Sequence, residues 1–331
     1  MGSGGAFELD TVYPTATVTA PFTLFSPDGD GKKDVLVIEQ SSSEETLWEA
    51  AIVDADGEQI RSMFWKGRLT DLEWDGNDEN GNVVADGVYR YEVRSRDAAG
   101  NDAAAVVARI RVDSRRTPLF ATVSADGFSP NGDGFRDELS IGMVAPLKDG
   151  LQSWQVRLHH AERGLQRTFE GEGAPPERLA WDGRRAGGRR APDGVYTSDV
   201  GLRYAKGNAP TATTSSFRLD VTPPRISLDI SPRPFSPDND GLDDELQIGV
   251  TVDEMSPIEA WNLQIVDPVG NPFTEFTGRG TPRPTITWNG LSRDGELVQA
   301  AEDYPVAMAM RDDLGNEAVA SGVIPVDVLV I

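Results

Sequence analysis

GVYRYEVRSRD, residues 87–97, alternates: Tyr89, Tyr91 and Val93 fall on one side, Arg90, Glu92, Arg94 and Arg96 on the other. A period of two sends successive side chains to opposite faces, so the stretch reads as a half-buried antiparallel strand. Working outward, Ala99-Gly100-Asn101 is a turn into the apolar run AAAVVARIRVD, and upstream WEAAIV (48–53) and QIRSMFW (59–65) flank Asp56-Gly57, a strong hairpin signal. VLVIEQ (35–40) is β-rich. Together these give about seven short strands in ~100 residues with no helical periodicity, the pattern of an Ig-like β-sandwich.

The unit occurs three times. FSPDGDGKKD (25–34) returns as FSPNGDGFRD (128–137) and FSPDNDGLDD (235–244). Each copy continues with a tryptophan (Trp48, Trp154, Trp261), a second tryptophan before Asx-Gly (Trp74, Trp181, Trp288), and a tyrosine (Tyr89, Tyr196, Tyr304). The tryptophan intervals lie within a residue of 107, too long for a solenoid repeat and suited to a domain with its own core. The expected class is therefore all-β, three tandem Ig-like β-sandwich domains: residues 1–116 (with 1–6 read as a vector-derived remnant), 117–221 and 222–331. Proline-stiffened junctions, RVDSRRTP (111–118) and LDVTPPRI (219–226), join them. In line, three such domains reach on the order of 100 Å.

The chain is acidic, with a net charge of −23, unevenly spread over the repeats as −10, 0 and −13. Such a surface repels phosphate backbones and anionic lipid, which argues against nucleic acid, and favours divalent cations. No apolar run is long enough for a transmembrane segment. The opening MGSGGAFELD has no basic and apolar regions of a signal peptide. The absence of cysteine removes disulfides, thiolate metal sites and thiol catalysis.

WDGNDENGNVVADGVYRYEVRSRDAAGN (74–101), preceded by FSPDGDGKKD, resembles the Ig-like domain of flagellar hook-capping proteins. It also resembles the FSPNGDG domains of bacterial surface and secreted proteins, the gliding-motility-associated C-terminal domains among them. The resemblance is best in repeat 1 and weakest in repeat 3, where Glu302-Asp303-Tyr304-Pro305 replaces Asp-Gly-Xaa-Tyr; a proline there suggests an edge or a bulge. It implies an Ig-like sandwich, a cell-surface, extracellular or periplasmic location, and no catalytic activity.

The repeated loop carries the candidate chemistry. Acidic or amide residues stand at relative positions one, three and seven: Asp28, Asp30, Asp34; Asn131, Asp133, Asp137; Asp238, Asp240, Asp244. Hard oxygens around a central glycine (Gly31, Gly134, Gly241) suit Ca²⁺, which takes six to eight oxygen ligands. The spacing is not that of an EF-hand, whose glycine at six and glutamate at twelve are here Lys33 and Glu39, Arg136 and Gly142, Asp243 and Gly249. A metal-free Asx-Gly turn is the competing reading; it accounts for the Asp-Gly pair and leaves the seventh-position aspartate unexplained. Asp75, Asp78 and Asp97 read as turn-formers.

Six of the seven tryptophans recur in every repeat and read as core, with Trp65 packing near the level of Phe169 and Phe276. His159 and His160 read as surface and edge residues with no third histidine to complete a site. The cluster Arg184, Arg185, Arg189 and Arg190 is peculiar to repeat 2 and reads either as a solvated loop or as a contact for an acidic partner. The sequence thus points to a non-enzymatic, calcium-stabilised structural or adhesive segment contacting other protein domains. The alternatives are a hook-cap-type scaffold binding filament subunits, and a carbohydrate-binding module attached to an enzyme and recognising surface glycans.

Overall fold

A computed structural model describes residues 11–299 and 302–327; residues 1–10, and with them the stretch 1–6 read from the sequence as a remnant, lie outside the described residues. Every regular element among the described residues is a strand, and none is a helix able to cross a membrane.

In the first repeat one sheet is ordered β1 (Ala16–Thr19), β3 (Leu36–Ser42), β6 (Leu72–Trp74). The other is ordered β2 (Leu24–Phe25), β8 (Asp102–Val112), β7 (Gly87–Arg96), β4 (Glu45–Val53), β5 (Gln59–Gly67). The second repeat repeats this with β9 (Phe120–Val123), β11 (Leu139–Val144) and β14 (Arg178–Trp181) facing β10 (Gly127–Phe128), β17 (Phe217–Leu219), β15 (Gly194–Tyr204), β12 (Leu151–His160) and β13 (Gly164–Glu172); β16 (Thr211–Thr213) adds to β15. In the third, β18 (Arg225–Ser231), β19 (Leu246–Asp253) and β22 (Thr285–Trp288) face β21 (Pro272–Arg279), β20 (Ile258–Val266), β23 (Glu302–Asp312) and β24 (Glu317–Val326). The alternation read in 87–97 is the inward face of β7, whose Tyr89, Tyr91 and Val93 are buried. The chain is a tandem of β-sandwiches.

Each repeat has its own apolar core, and the sequence signature supplies its centre. Phe25, Phe128 and Phe235 of the FSP triplets meet Trp74, Trp181 and Trp288 with ring centroids 5.3, 5.3 and 5.6 Å apart. The ring N–H of each tryptophan donates to a carbonyl three residues on, that of Asn77, Arg184 or Leu291, so a large apolar body is buried without leaving its polar edge unpaired. The glycine after each Trp-Asx pair lies under the proline of FSP. Gly76, at φ +76°, would place a Cβ 2.7 Å from Pro27 Cγ, so both residue types are fixed by one contact.

Three expectations need correction. Trp154 and Trp261 are only half-buried, unlike fully buried Trp48, because their cross-strand partners are Gly171 and Gly278 where Trp48 faces Trp65. Trp65 therefore corresponds to those glycines and not to Phe169 and Phe276. His160 is core: it is 5% exposed, packs on Tyr196 at 5.0 Å, and its Nδ1 accepts the Glu162 and Arg163 N–H groups. Pro305 lies in β23 just beyond the end of its pairing with β20 at Val306, so β24 alone flanks it and the edge position expected there holds locally.

Candidate functional site

The three acidic loops share one geometry. In the first, the N–H groups of Gly29 and Gly31 donate to the two oxygens of Asp34 (2.8 and 2.6 Å), the Asp30 N–H donates to Asp28, and the Lys32 N–H to Asp30. The second uses Gly132 and Gly134 on Asp137 (2.7 and 2.8 Å), the third Asn239 and Gly241 on Asp244 (2.6 and 2.8 Å). Positive φ at Gly29, Gly31 and Lys33 turns these N–H groups inward, and the equivalent positions of the other loops do likewise. The seventh aspartate thus has a task that needs no metal, capturing two backbone donors in every copy. The contrast drawn from sequence, that a turn leaves it unexplained, does not hold.

What remains for a cation is an oxygen cluster. One oxygen from each of Asp28, Asp30 and Asp34 lies within 4.8 Å of the others, and Asp238, Asp240 and Asp244 gather in the same way. Ligands 2.3–2.6 Å from a common Ca²⁺ would be spaced about this far apart. Asn131 breaks the pattern in the second loop: its side-chain amide donates to Asp133 Oδ2 at 3.0 Å and fills the space with an N–H donor. Asp75, Asp78 and Asp97 close turns by accepting from Asn77, Asn80 and Asn82, and Asn101 respectively.

Each of the first two loops is seated against the next domain, a feature the sequence reading missed. The repeated Gly-Asn hairpin that follows the long strands β7, β15 and β23 supplies the contact. Asn208 donates to Asp28 Oδ2 (2.7 Å) and Asp30 Oδ2 (2.9 Å), while Lys33 Nζ donates to the Ala205 carbonyl at 2.8 Å. Gly207, at φ +112°, leaves no room for a side chain above the Lys32 carbonyl. At the second junction the Ser129 hydroxyl donates to Asn316 Oδ1 at 2.7 Å, and Gly315 sits on Phe135. The signal that could have revealed this is the recurrence of Gly100-Asn101, Gly207-Asn208 and Gly315-Asn316, which a local reading takes for turn chemistry.

Different charges lock the two junctions. At the first, Lys206 is 3% exposed and its ammonium reaches Asp113 Oδ1 and the Asp113 carbonyl, both at 3.2 Å, and the Arg115 carbonyl. Arg115 and then Lys206 hold the Asp113 carboxyl well below the usual carboxylate range. At the second, Leu314 occupies the corresponding place and is buried against Gly127, while Arg218 forms a two-bond pair with Asp313 (3.1 and 2.7 Å). Nearby, Asp220, Glu254 and Asp312 form a third carboxylate cluster. Burial, with the charge of Asp220, raises Glu254 to about 7, and burial raises Asp312.

Of the arginine cluster, Arg184 alone makes side-chain contacts within its own loop, and the buried Arg185 Nε has no partner among the described residues. Arg184 donates to the Gly188 carbonyl and stands 3.5 Å from Asp182, Arg190 donates to the Pro130 carbonyl of the second acidic loop, and Arg189 is exposed. His159 is half-buried 3.4 Å from Asp199, so the two histidines share no site.

One comparison by sequence covers part of the first repeat. Residues 19–107 match the CHU_C type IX secretion signal domain. The hook-capping resemblance has no counterpart in that match. No curated protein matches the chain. Among solved structures, the tetra-tandem repeat in the extending region of a large adhesion protein is 15% identical, covering 96% of this chain and 75% of that chain at a TM-score of 0.35. The Ca²⁺-stabilized adhesin of an Antarctic bacterium is 13% identical, covering 97% and 75% at 0.37, and the chicken CNTN1 FN1–FN3 domains are 12% identical, covering 93% and 98% at 0.28.

Proposed function

We propose that this chain is a non-catalytic spacer within a bacterial cell-surface or secreted protein, with Ca²⁺ held in the acidic loops of the first and third domains. The observation that carries the spacer reading is the twofold use of one docking scheme. The acidic loop of the first domain receives the Gly-Asn hairpin of the second, and that of the second the hairpin of the third, with buried polar contacts on either side. Domains tied at fixed contacts transmit length, whereas domains on a free linker do not. The match of residues 19–107 to a type IX secretion signal domain supports export. The oxygen clusters at Asp28, Asp30, Asp34 and at Asp238, Asp240, Asp244 support the calcium reading. Small-angle X-ray scattering of the full chain in millimolar calcium tests the spacer. The expected maximum dimension is on the order of 100 Å, from three sandwiches end to end; a compact particle little longer than one domain refutes it.

A further inference from the structure

We infer that the cation site of the first domain is completed by Asn208 of the second, so that a divalent cation joins the two domains. This rests on the calcium reading of the acidic loop and adds its missing ligand. Asn208 is 5% exposed, and its side chain points into the cluster, its amide nitrogen 2.7 Å from Asp28 Oδ2 and 2.9 Å from Asp30 Oδ2. Its other end is anomalous: the buried Oδ1 has no hydrogen-bond partner among the described residues. Oxygen and nitrogen of an amide are nearly isosteric. Turning the group about its Cβ–Cγ bond brings Oδ1 to the place where the nitrogen now bridges two carboxylates. With a cation between the three groups the orphaned oxygen becomes a ligand, and the carboxylates receive a positive charge in place of a neutral donor.

The surroundings fit. Asp28, Asp30 and Asp34 form no ion pair with any lysine or arginine among the described residues, since Lys33 is directed to the Ala205 carbonyl and the Phe22 ring. Gly207 holds the hairpin against the Lys32 carbonyl, fixing Asn208 over the loop. The second junction is the internal contrast. Asn316 has both ends satisfied, its oxygen by Ser129 and its nitrogen by the Asp220 carbonyl (3.1 Å) and Asp312 Oδ2 (2.8 Å), and the first-position aspartate is there Asn131. One junction is closed by protein groups alone, and the other leaves an oxygen ligand waiting. Asp238, Asp240 and Asp244 form the same cluster with no hairpin of a following domain among the described residues, so that loop offers the loop ligands without the amide.

Isothermal titration of the full chain with CaCl₂ after EDTA treatment tests the inference, with Asp238→Asn and Asp240→Asn together silencing the third loop. In that background one calcium is expected to bind. Asn208→Ala is expected to weaken it tenfold or more, and Asn208→Asp, which restores an oxygen donor, to bind at least as tightly as the parent. An unchanged Kd in Asn208→Ala, or no recovery in Asn208→Asp, overturns the junction ligand and leaves the calcium loop standing. No binding in any variant, including the chain with its third loop intact, overturns both.

Discussion

Lys206→Met removes a cation buried in the first junction while keeping a side chain of similar length. Its ammonium serves three acceptors at once, the Asp113 carboxylate, the Asp113 carbonyl and the Arg115 carbonyl, and Asp113 is itself 6% exposed. Breaking a buried pair from one side costs about 3–5 kcal/mol because a charge is left unmatched. Asp113 keeps Arg115, with contacts of 2.9 and 2.6 Å, which lowers the expected loss to about 2–3 kcal/mol. A domain of this size loses roughly 4–8 °C per kcal/mol, so the melting of the first two domains is expected to fall on the order of 10 °C. The third domain should stay where it was. Differential scanning calorimetry reads both, and a double-mutant cycle with Asp113→Asn isolates the pair: a coupling below about 0.5 kcal/mol, the scatter of independent sites, would refute the claim that this contact locks the domains.

Calcium removal should act selectively. A site filled at a hundred times its Kd adds about 2.7 kcal/mol, so EDTA is expected to lower the transitions of the first and third domains by several degrees, with the second, whose own loop carries Asn131, following only through Asn208; equal shifts in all three in the Asn208→Ala chain would contradict the assignment. Glu254 gives a pH signature of unusual sign. Its folded pKa of about 7 lies above the ordinary 4.5, so the favourable protonated form is fully present below about pH 4.5 and is lost as pH rises to 7. The second junction should therefore melt a few degrees lower at pH 8 than at pH 5.5, and Glu254→Gln should shrink that difference to what buried Asp312 contributes. Gly76→Ala forces a side chain at positive φ into Pro27, which should cost the first domain about 1–3 kcal/mol in chemical denaturation; a neutral result would show that the Pro-Gly contact is not fixed.

The sandwich was legible because its signals are local. Alternation in 87–97 makes β7, the Asp56-Gly57 pair closes the hairpin of β4 and β5, and the recurring tryptophan and tyrosine mark the core of each copy. Pleat and turn chemistry act over a few residues, so a single sequence carries them. The half-burial of Trp154 and Trp261 was not legible, since it depends on which strand residue lies opposite, and register placed glycine there. The role of Asp34 was hidden too, because the loop must curl before two N–H groups can meet one carboxylate.

The sequence by itself determined the repeat, the strand pattern and the oxygen-rich loops. Only the tertiary structure decided that Asn208 meets Asp28 and Asp30 across 180 and 178 residues, and that Lys206 meets Asp113 across 93. The reason is physical: a buried amide or ammonium acquires its partners when two folded surfaces dock, and nothing in the residues flanking it records which surface that is.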